Sequence, residues 1–330
     1  MSGTQVVAVT GATSFLGRNL LGLLEDDEQI TRIVGVDLSA PRASGHKART
    51  YGVDLTLHTA EERLAEIFGA EQVDTVVHLS LLSSPAHAAA WAHELESVGT
   101  MHVLNAARRT DMRKLVMRSH TLLYGAYPTN ANYLTESHPL RARRGEPFFA
   151  DKIQAERDVH AYADPDKGRI ATILRTAPIL GPTIRSYLTR YLGRRVVPTI
   201  LGFDPLWQLL HEADAVAALK LAVDRDAPGI FNIVGDGVLP LSTVVKLAGR
   251  IAMPLPRSAA KSMLGVLWLT QVAEAPPTLL DYLQYLCVAD GERAKRELGF
   301  APAYTTRETL LDFAGAQYLR DARLLSEMPA

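Results

Sequence analysis

The stretch VVAVTGATSFLGRNLLGLLE, residues 6–25, decides the fold. Residues 6–9 form a short, uncharged and largely β-branched run, which is typical of a buried parallel strand. Gly11 follows, where a tight turn favours a residue without a Cβ atom. From Phe15 onward, leucines recur at helical spacing. We therefore predict a strand, a small-residue turn and a helix, whose amino terminus would favour an anion such as the pyrophosphate of a dinucleotide.

The glycine spacing in this turn differs from the dinucleotide fingerprint G-x-G-x-x-G. Gly11 and Gly17 fit the wider pattern G-x-x-G-x-x-G, with Ser14 at the middle glycine. Serine is small, and its hydroxyl could bond a phosphate oxygen. The turn therefore predicts a dinucleotide site, and the alternative is an ordinary βα turn of an unrelated α/β protein.

Length, composition and charge exclude several classes of protein. The 330 residues suit one large domain or two closely associated ones, and 47% hydrophobic with 22% charged residues is ordinary for a soluble globular protein. The formal net charge of −1 gives no electrostatic reason to expect nucleic acid or an anionic membrane as a partner. The single cysteine, Cys287, excludes an internal disulfide and any cysteine-based metal cluster. We predict no metal site.

The same features favour a cytoplasmic protein. A lone cysteine fits a reducing compartment, and the chain enters its first strand by Val6, so we expect no signal peptide. The longest apolar stretch, residues 263–273, is too short to span a bilayer and contains two polar residues. We interpret it as a buried or cleft-lining helix and predict no integral membrane segment; a role at a membrane surface is the less favoured alternative.

Asp37 ends the second predicted strand, residues 32–38, about twenty residues beyond the glycine turn. A carboxylate here can accept hydrogen bonds from both hydroxyls of the adenosine ribose, and it would repel a 2′-phosphate, which favours NAD over NADP. Arg42, Lys47 and Arg49 follow and could instead hold a 2′-phosphate. An aspartate that merely ends a strand is the other interpretation.

Strands and helices continue to alternate along the first half of the chain. Buried-strand patterns recur at residues 75–79, 114–125 and 169–175, and helical patterns at 86–109 and 147–162. Such alternation predicts an α/β fold with a Rossmann-like, doubly wound parallel sheet, whose ligands bind outside the carboxyl ends of the strands. The residues expected at those ends are Gly11 to Gly17, Asp37, Asp54, Ser80, Ser119 to Thr121, and Ala177 to Ile179.

The alternation of strands and helices weakens after Gly181, where helices and short strands mix irregularly. We therefore place a boundary near residue 180. Residues 1–180 are predicted to form an NAD-binding Rossmann domain. Residues 181–330 are predicted to form a smaller, mixed α/β domain that binds the substrate.

Five motifs follow one another in a characteristic order along nearly the whole chain. They are TGATSFLG (10–17), HLS (78–80), GTMHVLNAA (99–107), LRTAPILGP (174–182) and ELGFAP (297–302). In this order they resemble the extended short-chain dehydrogenase/reductases, in the NAD-dependent epimerase/dehydratase group typified by UDP-galactose 4-epimerase. The resemblance implies NAD as cofactor. Thr13, Ala177 and Ile179 are added because they lie at the predicted strand ends. The residues expected to contact NAD are Gly11, Thr13, Ser14, Phe15, Leu16, Gly17, Asp37, Asp54, Leu55, Leu79, Ser80, Leu81, Lys152, Ala177 and Ile179.

The catalytic motif of that family is altered in this chain. The family uses Y-x-x-x-K on the helix that begins here at Pro147, with the lysine holding the nicotinamide ribose and lowering the pKa of the tyrosine. Lys152 is present, but Phe148 stands at the tyrosine position, and a benzyl group cannot transfer a proton. The family's Ser or Thr, five residues before Gly125, is replaced by His120, and Glu96 stands where asparagine is frequent.

Two functions remain open on these residues. The first is an enzyme with a different acid/base: His120 leads because imidazole titrates near neutral pH. Ser119 and Thr121 carry hydroxyls that a small shift could bring into place, and Tyr124 is a fallback donor. The second is a protein that binds NAD and a ligand without turnover, as a sensor, scaffold or partner subunit.

The resemblance implies a nucleotide sugar as the small-molecule substrate. A basic stretch could meet its diphosphate, or could equally be a solvated helix face; its residues are Arg185, Arg190, Arg194 and Arg195. The apolar tract at 264–269, near Tyr282 and Tyr285, would instead suit a sterol-like or lipid-linked alcohol, and core packing explains it equally well. The family also implies a homodimer through the helices at 86–109 and 147–162.

Overall fold

The computed structural model describes residues 5–42, 45–141 and 147–326, with the side chains of 165 and 321–326 left aside. Residues 1–4, on which the expectation about a signal peptide partly rests, lie outside this range. The strands are β1 (Gln5–Thr10), β2 (Ile30–Asp37), β3 (Ala48–Gly52), β4 (Thr75–His78), β5 (Lys114–His120), β6 (Ile170–Thr176), β7 (Ile179–Leu180), β8 (Val196–Ile200), β9 (Leu206–Trp207), β10 (Leu210–His211), β11 (Gly229–Ile233), β12 (Leu239–Pro240) and β13 (Ile251–Leu255).

Helices separate most of these strands. The α-helices are α1 (Phe15–Glu25), α2 (Ala60–Glu71), α3 (Ala89–His93), α4 (Gly99–Arg109), α5 (Pro147–His160), α6 (Tyr187–Gly193), α7 (Glu212–Asp224), α8 (Leu241–Leu247), α9 (Arg257–Leu269) and α10 (Thr306–Ser326). Two single π-helical turns and three 3₁₀ turns complete the helical structure of the described residues: Glu94–Val98, Ala294–Leu298, Thr121–Tyr124, Pro165–Lys167 and Pro277–Leu283.

The central sheet has seven parallel strands in the order β3-β2-β1-β4-β5-β6-β11. Its inner strands are almost wholly buried, because helices cover both faces, and this explains their continuous apolar runs. The strand order reverses between β1 and β4, which is where ligands bind in open α/β sheets. The predicted Rossmann-like, doubly wound fold is confirmed.

Two predicted elements differ from the observed ones. The predicted strand over 114–125 stops at His120, since residues 121–124 form a 3₁₀ turn that leads to Gly125 at a φ of +78°. The helical stretch predicted over 86–109 is built as α3, a π turn and α4 in succession. The π turn places Glu96 inside the protein, with a side chain that is fully buried.

The boundary predicted near residue 180 divides segments that the structure joins. The chain returns to the large sheet after that point: β11 pairs with β6, with Phe231 opposite Leu174. Helix α7 packs against α1, and eight of its thirteen residues are buried. Periodicity cannot show which sheet a late strand joins, so this return was not predictable. The smaller part consists mainly of the pairs β8–β13 and β9–β12 with α6, α8, α9 and α10.

Candidate active site

The turn after β1 requires glycine at two positions. Gly11 has a φ of +69°, and a Cβ atom there would lie 2.7 Å from the carbonyl carbon of Leu79. A Cβ atom on Gly17 would lie 2.3 Å from the carbonyl oxygen of Gly11. The start of α1 therefore packs directly on the turn, and Leu79 and Ser80 at the end of β4 lie beside it. The amino terminus of α1 thus begins at the carboxyl end of β1, where its N–H groups would favour an anion.

Ser14 and Asp37 complete this turn. Ser14 is the N-cap of α1, and its Oγ accepts a hydrogen bond from the N–H of Gly17 at 3.0 Å. That bond does not use the hydroxyl proton, which can still be donated to a phosphate oxygen. One carboxylate oxygen of Asp37 accepts from both the N–H and the hydroxyl of Thr13, at 2.8 and 2.7 Å. The carboxylate thus lies at the rim of the turn, as a contact to the adenosine ribose requires.

Two of the three cations that follow Asp37 are used elsewhere. Lys47 donates to the carbonyl of Asp27 at 2.7 Å, and Arg49 forms an ion pair with Glu71 at 2.9 Å. Neither is paired with Asp37, so neither cation is shown in a place where it would offset the repulsion between this carboxylate and a 2′-phosphate. This geometry fits NAD better than NADP.

The other residues expected at the cofactor lie around the same edge. Asp54 accepts hydrogen bonds from Thr56, Ile179 lines a small cavity described below, and Leu16, Leu55 and Ala177 are buried. Phe15 and Leu81 are half-buried and pack against the two sides of the sheet. His78 of the same edge is a buried core histidine, hydrogen-bonded to Thr10 and Thr100 at 2.8 and 3.0 Å.

A small cavity of about 40 Å³ lies at the carboxyl end of β5. Its polar lining includes Arg118 and His120 from β5 and Lys152 from α5, and Phe148 forms an apolar wall. The cavity brings together Lys152 and His120, which the sequence predicted as catalytic.

Lys152 is held by Glu96. Its Nζ forms an ion pair with Oε1 of Glu96, and both side chains are buried. The N–H of Leu82 donates to the same oxygen at 2.6 Å, while Oε2 of Glu96 has no partner among the described residues. Burial lowers the pKa of Lys152, and the carboxylate of Glu96 opposes that shift. The glutamate noted in the sequence as a departure from the family is therefore the counter-ion of the family's lysine.

Phe148 occupies the place of the missing tyrosine. Its ring centroid lies 4.4 Å from Nζ of Lys152, so the ammonium contacts the ring face. This contact keeps Phe148 on the same side of α5 as Lys152, as the four-residue spacing predicts. The ring of Phe148 has no proton to transfer.

His120 does not behave as predicted. Burial, with the positive charges of Arg118 and Lys152, pushes the pKa of His120 well below its usual range. The expectation that this imidazole titrates near neutral pH is therefore wrong, because the sequence did not show that two cations lie beside it. His120 is a neutral imidazole at physiological pH.

Three of the predicted catalytic residues do not line this cavity. Ser119 points from the opposite face of β5 and donates to Glu156, which is also bound by Nε of Arg175 at 2.9 Å. The hydroxyl of Tyr124 donates to Asn232 at 2.8 Å and accepts from Arg175 at 2.8 Å. Burial raises the pKa of Tyr124 to about 12.

These two side chains belong to a buried structural network, so their prediction as catalytic groups is not supported by their position. Thr121 is 1% exposed at the start of the 3₁₀ turn, and its carbonyl oxygen faces the thiol of Cys287 at 3.6 Å.

A second, larger cavity of about 230 Å³ adjoins the small one. Leu122, Pro178, Tyr187 and Leu188 line both. The rest of its wall comes mainly from α6, α9 and the 3₁₀ turn Pro277–Leu283, with Trp207 added from β9. It is mostly aliphatic and aromatic; further examples are Tyr191, Leu264, Leu267, Leu280 and Leu283. An apolar cavity of about 150 Å³ already accommodates a benzene ring.

Three polar side chains in this wall are already hydrogen-bonded to backbone. Tyr191 donates to the carbonyl of Pro198 at 2.8 Å, Trp207 to that of Tyr282 at 3.1 Å, and Tyr282 to that of Leu122 at 2.5 Å. Of the predicted basic stretch, Arg190 and Arg194 reach the wall, and Arg190 is neutralised by an ion pair with Glu274. The cavity therefore offers a ligand apolar surface and few polar partners.

Two features of the site were missed in the sequence. Arg118 lines the small cavity, and its signal was a charged residue directly after the apolar run LVM, residues 115–117, of a predicted buried strand. In the sequence, only the apolar tract of α9 indicated the large cavity, because the walls of that cavity come from segments far apart in the chain. Among the described residues no cluster of three or more His, Cys, Asp or Glu side chains could hold a metal ion, and no helix is long and apolar enough to cross a membrane.

Comparison with known proteins agrees with this architecture. The chain is 33% identical over 312 residues to an uncharacterized protein of Mycobacterium tuberculosis, covering 94% of this chain and 83% of that protein. It is 27% identical over 323 residues to the 4-hydroxy-2-methyl-3-oxo-4-farnesyl-3,4-dihydroquinoline-1-oxide ketoreductase of Stigmatella aurantiaca, covering 92% and 93%.

The fold superposes on MoeE5, solved in complex with UDP-glucuronic acid and NAD, with a TM-score of 0.73 at 21% identity over 95% of this chain and 99% of MoeE5. Residues 7–234 match the model of the NAD dependent epimerase/dehydratase family. The resemblance inferred from the motifs is thereby confirmed: the chain belongs to the NAD dependent epimerase/dehydratase family.

Proposed function

We propose that this protein is an NAD-dependent oxidoreductase whose substrate is a secondary alcohol or ketone with an apolar body. When bound, NAD would accept or supply the hydride. The glycine turn would hold the pyrophosphate, and Asp37 the adenosine ribose. An ammonium has three N–H donors, so the bond from Lys152 to Glu96 leaves donors for the nicotinamide ribose.

The observation that carries the substrate class is the apolar cavity beside Lys152 and His120. Three of its hydroxyl and indole donors, those of Tyr191, Trp207 and Tyr282, are satisfied by backbone carbonyls, so a sugar would exchange many bonds to water for few bonds to the wall. An aliphatic or aromatic body would gain about 25 cal/mol for each Å² of apolar surface buried there. The geometry thus favours the sterol-like or lipid-linked alternative over a nucleotide sugar.

One relative supports the same choice. The ketoreductase of Stigmatella aurantiaca is named for a ketone that carries a farnesyl chain, which is a large apolar substituent. Its alignment spans almost the whole of both chains, including the segments that form the cavity. The predicted homodimer and the predicted cytoplasmic location remain predictions.

A second candidate function is the binding of NAD and an apolar ligand without turnover. It is favoured by the absence of a proton-transferring group at Phe148 and by the neutral state of His120. Loss of a positioned acid/base costs roughly 10²–10⁴-fold in rate. Such a protein would act as a sensor or a partner subunit.

The test is single-turnover hydride transfer with a stoichiometric amount of NAD or NADH. Apolar cyclic ketones and alcohols, with 2-decalone as the reference, would be compared with UDP-glucose and UDP-galactose by absorbance of the reduced nicotinamide. We expect transfer with apolar members only. Transfer with nucleotide sugars alone would contradict the substrate class, and tight NAD binding with no transfer at all would favour the second candidate.

A matched pair of alanines in α9 tests the cavity itself. Ala260 is 3% exposed and lines the cavity, whereas the neighbouring Ala259 faces solvent. Ala260→Phe should fill the cavity and raise KM for the apolar substrate at least tenfold, while Ala259→Phe should leave KM unchanged. Thermal unfolding of both variants would confirm that the change is not loss of the fold.

A further inference from the structure

Arg118 is a buried cation without an acidic partner. It lies in β5, an inner strand of the large sheet, is 6% exposed, and lines the small cavity. Among the described residues no carboxylate comes within 4.0 Å of its guanidinium, whereas the neighbouring buried Arg175 is paired with Glu156. A buried, unpaired charge is costly, so its retention calls for a compensating interaction.

The only side chain hydrogen-bonded to Arg118 in the described structure is His120. Residues 118 and 120 point from the same face of β5, because side chains alternate along a strand. An N–H of the guanidinium contacts Nε2 of His120. Arginine has donors and no acceptor, so Nε2 must carry the lone pair and the single proton of the neutral ring must sit on Nδ1.

Nδ1 of His120 is then a hydrogen-bond donor at the cavity. No group of the described residues is hydrogen-bonded to it. Lys152 and Glu96 are the other ionisable groups near the ring; the first repels a second proton on His120, and the second is engaged by Lys152. The ring is thus held in one tautomer and one charge state.

We propose that Arg118 is a positioning residue that fixes His120 as a neutral Nδ1–H donor, and that this N–H binds the reacting oxygen of the substrate in place of the hydroxyls lost at Phe148 and His120. The inference rests on the proposed function for the identity of the reacting oxygen. Negative charge that develops on that oxygen is stabilised by the N–H and, through the ring, by the guanidinium, on which Glu96 acts through space without a direct ion pair. The pair therefore favours polarisation of a carbonyl over removal of a proton from an alcohol.

The position of the proton can be measured without any reaction. Protein labelled with ¹⁵N in its histidine rings, free of cofactor, would be examined by long-range ¹H–¹⁵N correlation spectra between pH 5.5 and 8.5. His78, buried between two threonines with a pKa lowered to about 4, serves as an internal reference for a neutral ring. His120→Asn identifies the signal, and contacts to neighbouring side chains do so if that variant fails to fold.

We expect His120 to show a protonated Nδ1, an unprotonated Nε2 and no change across this range. A ring protonated on Nε2, or one that titrates with a midpoint inside the range, would overturn the proposal. In the same spectra of Arg118→Met, the ring of His120 should no longer be confined to the Nδ1-protonated tautomer. Arg118→Lys should restore the preference for that tautomer in part.

Turnover gives an independent readout. With 2-decalone, Arg118→Met should lower kcat about 100-fold, the loss typical of one donor to a developing oxyanion, with the Kd for NAD within about twofold of wild type. Arg118→Lys should recover part of kcat. An unchanged kcat in Arg118→Met would refute the pairing. If no ketone reacts at all, the proposed function fails, while the ring spectra still decide where the proton of His120 lies.

Discussion

The two ends of the candidate site are built in different ways. The cofactor end, defined as residues 11–17 with Asp37, depends on backbone proximity and short-range bonds, such as the approach between Gly17 and the carbonyl of Gly11. The reacting end, defined as Glu96, Arg118, His120, Phe148 and Lys152, depends on buried charges from three separate elements.

The difference shows which part of such a site can change without loss of the fold. The turn at the cofactor end is also the packing contact between β1, β4 and α1, so its glycines serve folding and binding together. The groups at the reacting end face a cavity, where one polar set can replace another provided that the charges remain compensated. The proposed function therefore combines an altered reacting end with a cofactor turn that keeps its glycines.

The largest expected effect lies at the buried ion pair of the reacting end. Glu96→Gln leaves Lys152 charged and unpaired, and Lys152→Met leaves Glu96 in the same condition; each should lower the free energy of unfolding by about 3–5 kcal/mol. The double variant that combines Glu96→Gln with Lys152→Met should lose much less than the sum of the two single losses. Urea unfolding of all four proteins gives the coupling, and additive losses would mean that the pair is not coupled.

A smaller effect, which is steric in origin, is expected at the cofactor end. Gly17→Ala forces a Cβ atom against the carbonyl oxygen of Gly11 and should lower the free energy of unfolding by about 3 kcal/mol and abolish tight NAD binding. Gly22→Ala in the same helix is the control, because nothing lies within 4 Å of the added atom.

That control should raise stability by about 1 kcal/mol. Thermal unfolding and calorimetric titration with NAD measure both quantities. Equal stability and equal NAD affinity in the two variants would contradict the packing role of Gly17.

The smallest effect lies at the margin of the reacting end, where Nδ1 of His93 lies 2.7 Å from Asp151 beside Lys152. The hydrogen bond to Asp151 raises the pKa of His93 above 6.5. The pair therefore stabilises the fold below pH 6.5, and this contribution is lost as the pH rises through the folded-state pKa.

Because the side chain of His93 is 52% exposed, His93→Gln should cost less than about 1 kcal/mol at pH 5.5 and almost nothing at pH 8.5. Urea unfolding at both pH values measures the difference. A loss of the same size at both pH values would show that the charge of His93 does not cause the stabilisation.

The cofactor end was largely predictable, since its signals are local. The run of residues 6–25 contains the strand, the turn and the helix that form it, and Asp37 follows at the spacing that a βαβ unit imposes. Phe148 and Lys152 were also predictable as neighbours, because four residues make one turn of a helix.

What could not be predicted arises between distant segments. The sequence determined the parallel sheet, the glycine turn and the loss of the family's tyrosine, because periodicity and residue type are properties of short stretches. Only the tertiary structure decided that Glu96 pairs with Lys152, that Arg118 keeps His120 neutral, and that α6, α9 and residues 277–283 enclose an apolar cavity. Ion pairing, desolvation and cavity shape depend on which segments meet, and each of these contacts joins side chains whose proximity no local pattern encodes.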